Sequence, residues 1–133
     1  LLQMQTNNGG ASVREVWKGR EMKNHFSSSV LYQNHLYGFD DAFLTCLDVV
    51  TGKPKWQQRG FKKGSLLLAD GHLIVLGESG NLALVEASPA AYQEKASVQI
   101  LNGRCWTMPT LANGKLYLRN QSEMLCLDAN GKN

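Results

Sequence analysis

A chain of 133 residues that is 43% hydrophobic and 19% charged holds enough apolar material for a packed core, so disorder is not expected. Its 14 Lys and Arg against 11 Asp and Glu give a formal charge of +3, spread along the chain without the basic blocks that suit nucleic acid or an anionic membrane. The longest apolar runs, 66–69 and 73–76, are parted by Asp70, Gly71 and His72. They fall far short of the roughly 20 residues that span a bilayer, and no transmembrane segment is expected.

Taken in order, Leu1 begins without a charged leader or cleavage motif, which reads as a signal peptide absent or already removed. Residues 1–5, the turn Asn7-Asn8-Gly9-Gly10 and residues 13–18 read as third strand, turn and fourth strand of a unit that ends near residue 24. A full unit follows over 25–60, with strands predicted at 28–32, 36–39, 43–47 and 55–58. Its third strand runs into the stretch CLDVVTGKPKW, from Cys46 to Trp56. There Asp48 can accept hydrogen bonds from the turn ahead of it, Thr51 and Gly52 make the reversal, and Gly52 tolerates a positive φ. Pro54 suits a strand's start, and Trp56 is the returning strand's large apolar anchor.

The next unit, 61–103, repeats the first three strands at 65–68, 73–76 and 82–85. It then departs from the pattern, because Ser88 followed by Pro89 is a cap and first helical position. This predicts a short helical excursion before a fourth strand at 96–101. The last unit, 104–133, has strands at 110–112, 116–118 and 124–127, and then Cys126-Leu127-Asp128-Ala129-Asn130-Gly131-Lys132 echoes the earlier turn; its fourth strand is missing. Trp17 stands where Trp56 stands, so Trp17, Asp48, Thr51, Gly52, Trp56, Asp128 and Gly131 form one recurring motif with a structural role. The strand cores at Leu36, Leu73 and Leu116 recur at about 40 residues, each preceded by Asn, Asp or Gly turn chemistry.

The reading is therefore all-β, a β-propeller fragment of about three four-stranded antiparallel blades, since units of this length with four short strands are what blades look like. The motif also resembles a named family, the pyrroloquinoline-quinone-type repeat, with its Ala-x-Asp-x-x-Thr-Gly-x-x-x-Trp signature. Asp48, Thr51, Gly52 and Trp56 match at their spacing, with Cys46 in place of Ala. HFSSSVLYQNHLYGFD, GSLLLADGHLIVLGESGNLALVEASP and RCWTMPTLANGKLYLRN are similar to quinoprotein-like, BamB-like bacterial propellers. The resemblance implies a Trp packed between neighbouring blades, an Asp-to-Gly turn that stabilises the hairpin, and a periplasmic or otherwise extracytoplasmic location.

For function the resemblance divides, because the repeat is shared by quinone-dependent dehydrogenases and by propellers that bind no quinone. A dehydrogenase of this kind would typically show adjacent cysteines against the cofactor and a calcium set of acidic and amide groups. Cys46, Cys105 and Cys126 are not adjacent and read as buried structural thiols, with Cys105-Trp106 the nearest hint of cofactor contact. His35 and His72 sit in equivalent turns and read as solvated. At the entry to each first strand, Lys23, His25, Lys62, Lys63, Arg104 and Trp106 mark a rim that suits an anionic small ligand or a protein partner's acidic segment, the plainer alternative being ordinary solvated charge.

The leading expectation is a non-catalytic scaffold or binding module, part of a longer chain, with no catalytic residues, no metal and no cofactor. The alternative is a fragment of a dehydrogenase using pyrroloquinoline quinone with calcium. Open blade edges imply self-association.

Overall fold

The computed structural model describes residues 1–130, and among these every regular element is a β-strand. Residues 131–133 lie outside the description, including the Gly131 of the third turn motif. β1 (Leu2–Asn7) and β2 (Gly10–Glu15) form an exposed antiparallel hairpin. β3 (Val30–Tyr32), β4 (His35–Asp40), β5 (Phe43–Asp48) and β6 (Pro54–Gln58) form a four-stranded meander. A second meander follows from β7 (Ser65–Ala69), β8 (His72–Leu76), β9 (Asn81–Glu86) and β10 (Glu94–Gln99), and a three-stranded sheet from β11 (Thr110–Ala112), β12 (Lys115–Arg119) and β13 (Met124–Asp128). All neighbours are antiparallel and no ladder joins one sheet to another. No helix among the described residues is long and apolar enough to cross a membrane.

Local chemistry explains the hairpins. The first two strands of the three larger sheets are joined by two-residue turns, at Gln33-Asn34, Asp70-Gly71 and Asn113-Gly114. All six of these residues have positive φ, between 45° and 70°, which is the backbone that matches the twist of the flanking strands. Gln33 is the one member that turn chemistry does not anticipate. The rings of His35 and His72, read as solvated, fold back instead: each donates from Nδ1 at 2.7 Å to a carbonyl of its own turn, Gln33 and Asp70 respectively.

The Asp48 turn is a hydrogen-bonded cap. Asp48 Oδ1 accepts from the Val50 and Thr51 amides at 2.9 Å each and from Thr51 Oγ1 at 3.1 Å, while its backbone pairs with Gly52 and Lys53. Donation from the Thr51 amide leads the contacts that hold its carboxyl below the usual range. Asp128 Oδ1 accepts from Asn130 in the same i to i+2 pattern, at 2.9 Å.

The sheets are joined by packing and by one repeated polar contact. Tyr37, Phe39, Leu44, Leu66, Leu73 and Val85 belong to one buried cluster, against which Trp56 and Tyr92 pack; Leu76, Leu101, Cys105, Leu116 and Leu118 form a second. Trp17 Nε1 donates to the Val49 carbonyl at 2.8 Å, and Trp56 Nε1 to the Ser88 carbonyl at 2.9 Å. Each indole thus ties its own sheet to the turn after the third strand of the next. Trp17 lies just past the end of β2, so the predicted fourth strand over 13–18 is corrected to Gly10–Glu15.

The predicted helical turn at Ser88-Pro89 does not form. The Ser88 carbonyl, which would accept the first intrahelical bond if Ser88 were the cap, instead receives the Trp56 indole. Tyr92 turns inward, its ring 5.9 Å from Trp56 and 6.5 Å from Phe61. The Glu86 amide pairs with the Gln93 carbonyl, so the ladder resumes at once and the fourth strand begins at Glu94, not at 96. Cys46 and Cys105 are buried as expected, but Cys126 is exposed, because no fourth strand covers β13 among the described residues.

The Trp17 ring lies on Gly52, whose φ is +70°; a Cβ there would sit 2.7 Å from the indole. Gly52→Ala therefore combines a left-handed backbone penalty of about 1–2 kcal/mol with displacement of Trp17, and Trp56→Ala is expected to cost about 3 kcal/mol. Urea unfolding of both variants checks this; a Gly52→Ala change below about 0.5 kcal/mol would contradict the contact.

Candidate functional site

Three loop entries and two strand-to-strand turns meet along one rim. The turn between β4 and β5 carries Asp40 and Asp41, and the turn between β8 and β9 carries Glu78. Backbone bonds lace the loops to that second turn: the Glu78 amide donates to Phe61 at 2.9 Å and the Cys105 amide to the Glu78 carbonyl at 2.8 Å.

Two groups form. Around Asp41, His25 Nε2 donates to Oδ1 at 2.9 Å and Lys63 Nζ lies 3.8 Å from the same oxygen, with Lys23 Nζ 3.8 Å from Asp40. The hydrogen bond from His25, followed by the charges of Lys63 and His25, holds the Asp41 carboxyl below its ordinary range. Around Trp106, the Arg104 guanidinium sits 4.4 Å over the indole ring and Phe26 packs 5.3 Å away, while the indole Nε1 donates to Glu78 Oε1 at 3.1 Å. Trp106 nevertheless stays 44% exposed. An open cavity of about 320 Å³ lies beside this group, lined by Lys62, Glu78, Ser79, Gly103 and Arg104.

The structure thus unites His25 with Lys63 through Asp41, and Lys62 with Arg104 across the cavity; Trp106 stands beside Arg104. Sequence reasoning missed Asp40, Asp41, Glu78 and Phe26. A signal for the acids was present, since Asp41 and Glu78 occupy the same turn of successive units, but a search for a basic ring passes over them. They make the rim a surface of paired charge with one preorganised aromatic and cation pair. That pair suits a carboxylate or other anion carried beside an apolar group.

The two buried thiols, Cys46 and Cys105, are poor nucleophiles in this setting. Burial pushes Cys46 up to about 11 and also raises Cys105, so both are held neutral at pH 7. Among the described residues no three His, Cys, Asp or Glu side chains gather as a metal site. The acids on the rim are engaged by Lys23, His25, Lys63 and the Trp106 indole, and all three cysteines are free thiols. The described residues therefore do not fit the calcium and adjacent-cysteine set of a quinone enzyme.

No protein-family model matches the chain, and no curated protein does either. Among solved structures it is similar to the computationally designed Ika8 protein, crystallised in P63, with a TM-score of 0.64 at 15% identity. The match covers 96% of this chain and 45% of that one, so this chain spans less than half of the designed protein's length. At that identity the likeness is one of fold.

Asp41 gives a pH test whose sign is set by its lowered pKa. Its contacts add stability above the ordinary value of 3.8, and that stability is lost as pH falls through the lower folded value. Asn tolerates the left-handed φ of +53° at this position, so Asp41→Asn removes the charge without straining the turn. The stability gap between wild type and Asp41→Asn, read from urea melts, is expected to narrow as pH falls below 3.8 through the lowered folded value, and to shrink in about 1 M salt. A gap independent of pH would show that the ion pairs contribute nothing.

Proposed function

We propose that this chain is part of a β-propeller of the pyrroloquinoline-quinone-type, quinoprotein-like and BamB-like repeat, serving as a non-catalytic binding scaffold. The support for the propeller reading is the recurring junction: a tryptophan at the end of one sheet donates to the turn of the next, at Trp17 to Val49 and again at Trp56 to Ser88. Repeats joined only to their neighbours in this way build an architecture that extends blade by blade. A bacterial, extracytoplasmic setting rests on the sequence resemblance alone.

The observation that carries the binding role is Trp106. A large aromatic held by Phe26, Arg104 and Glu78 yet left 44% open to solvent has the form of a binding anchor whose ordering cost is met before the ligand arrives. Arg104 and Lys62 beside it favour an acidic segment of a protein partner, or a small anion with an apolar portion. Poly-glutamate and a Glu-rich peptide containing one Phe serve as probes. The Phe-containing peptide is expected to bind the tighter, with affinity reduced at least about tenfold in Arg104→Ala and Trp106→Ala, a loss of about 1.4 kcal/mol. Equal binding by wild type and both variants overturns the rim assignment. Tight, stoichiometric uptake of pyrroloquinoline quinone with calcium by the full-length protein overturns the scaffold reading in favour of the dehydrogenase.

β13 presents an unpaired edge among the described residues, and its exposed Met124 adds apolar surface. An edge of this kind pairs with another strand. Sedimentation of the 133-residue chain is expected to show concentration-dependent self-association, weakened by Cys126→Pro, because the flanking Leu118–Leu125 and Leu116–Leu127 pairs bond to β12 and the N–H of Cys126 between them faces the open edge. A strict monomer at all concentrations would count against open blade edges.

A further inference from the structure

The second four-stranded sheet lacks the tryptophan that the preceding sheet uses, and its place is an apolar cleft. In the first sheet Tyr37, Cys46 and Trp56 lie side by side across β4, β5 and β6. In the second, the register places Ile74, Leu84 and Ala96 in the same row. The two fourth strands match in detail: each has its register irregularity one residue before the row, at Lys55 ahead of Trp56 and at Lys95 ahead of Ala96. Ala96 is therefore the counterpart of Trp56. The facing sheet is equivalent too, since Leu73 and Leu116 each stand two residues past the tight turn, paired with Leu68 and Leu111 before it.

Where Trp56 packs against the buried cluster of its neighbour, Ala96 leaves a cavity of about 250 Å³ between the second and third sheets. Ile74, Leu82, Leu84, Ala96, Val98 and Leu116 line it with Ala83 and Ser97, and the serine hydroxyl, the one polar side-chain group among them, is bonded to Glu94. Leu84 and Val98 remain 37% and 52% exposed, so the cleft opens to solvent along β9 and β10. The described start of the third junction turn follows the two earlier copies: the Ala129 amide donates to the Gly114 carbonyl at 2.7 Å, as Val49 does to Asn34 and Ala87 to Gly71. The described part of the receiving turn thus matches the earlier copies, while Ala96 stands where the inserting tryptophan would be.

We propose that this cleft is a binding site for a free, planar aromatic small molecule of indole size, which takes the position that Trp56 fills one sheet earlier. The size agrees, because a dry apolar cavity of about 150 Å³ accepts benzene and a bicyclic ring needs more. The chemistry agrees as well: aromatic rings contribute through apolar contact, and the same slot in the preceding sheet already orders an indole between a strand and a turn. The site is independent of the charged rim, and its test is independent of the rim reading.

Indole itself is the probe, titrated into the full chain and followed by two-dimensional NMR. Saturable binding is expected with a Kd of about 0.1–1 mM, in keeping with a ligand of this size, and with the largest shifts at the amides of β9 and β10. Ala96→Trp fills the slot from within, so it is expected to raise Tm by about 4 °C or more and to abolish indole binding. Failure of indole to saturate by about 5 mM, shifts located elsewhere, or undiminished binding in Ala96→Trp overturns the proposal. Should Ala96→Trp not fold, Ala96→Leu decides: at least fivefold weaker indole binding supports the site, and unchanged binding overturns it.

Discussion

Two indole N–H groups hold the hairpin and the two four-stranded sheets of this protein in sequence. Trp17 and Trp56 each reach across to a carbonyl 32 residues further along the chain, so a residue at the end of one sheet fixes the turn of the next. A tryptophan suits this junction because its body buries against apolar neighbours while its single N–H needs one acceptor. The turn must supply that acceptor in a fixed place, which is why Asp48 caps it with three side-chain hydrogen bonds and why Gly52 leaves room for the Trp17 ring. Interlock of this kind explains how the two four-stranded sheets, which share no ladder, stack around a common apolar cluster, while apolar packing joins the second of them to the three-stranded sheet.

Departures from the repeat are as informative as its copies. In the second sheet the capped turn is replaced by the longer 87–93 connection, which still offers a carbonyl at Ser88 to the incoming indole. The same sheet has Ala96 where an aromatic stands one unit earlier, so it receives a tryptophan without presenting one. On the rim, the repeat's strand-to-strand turns supply acids that meet the cations of the strand entries, and the pairing around Asp41 leaves the Arg104 and Trp106 pair as the part with chemistry to spare.

Much of the fold was legible because strand signals are local. Alternating apolar residues and turn chemistry at Asp70-Gly71 and Asn113-Gly114 are enough to locate strands to within a few residues. The rim was legible only in part: its cations and Trp106 could be named from their repeat positions, but Phe26, which packs on Trp106, lies 80 positions before it in the chain, and nothing in sequence spacing links them. Cys126 shows the opposite failure, since equivalence with Cys46 predicted burial and the covering strand is not among the described residues.

The sequence by itself determined the β-period, the reversals at Asp48 to Gly52 and at the three tight turns, and the unit length, because each depends on residues within a few positions of one another. Only the tertiary structure decided that Ser88 starts no helix, that Asp41 gathers His25 and Lys63, and that Ala96 leaves a cleft. These depend on what arrives from a neighbouring sheet, and a carbonyl claimed by an indole 32 residues away is no longer free to start a helix.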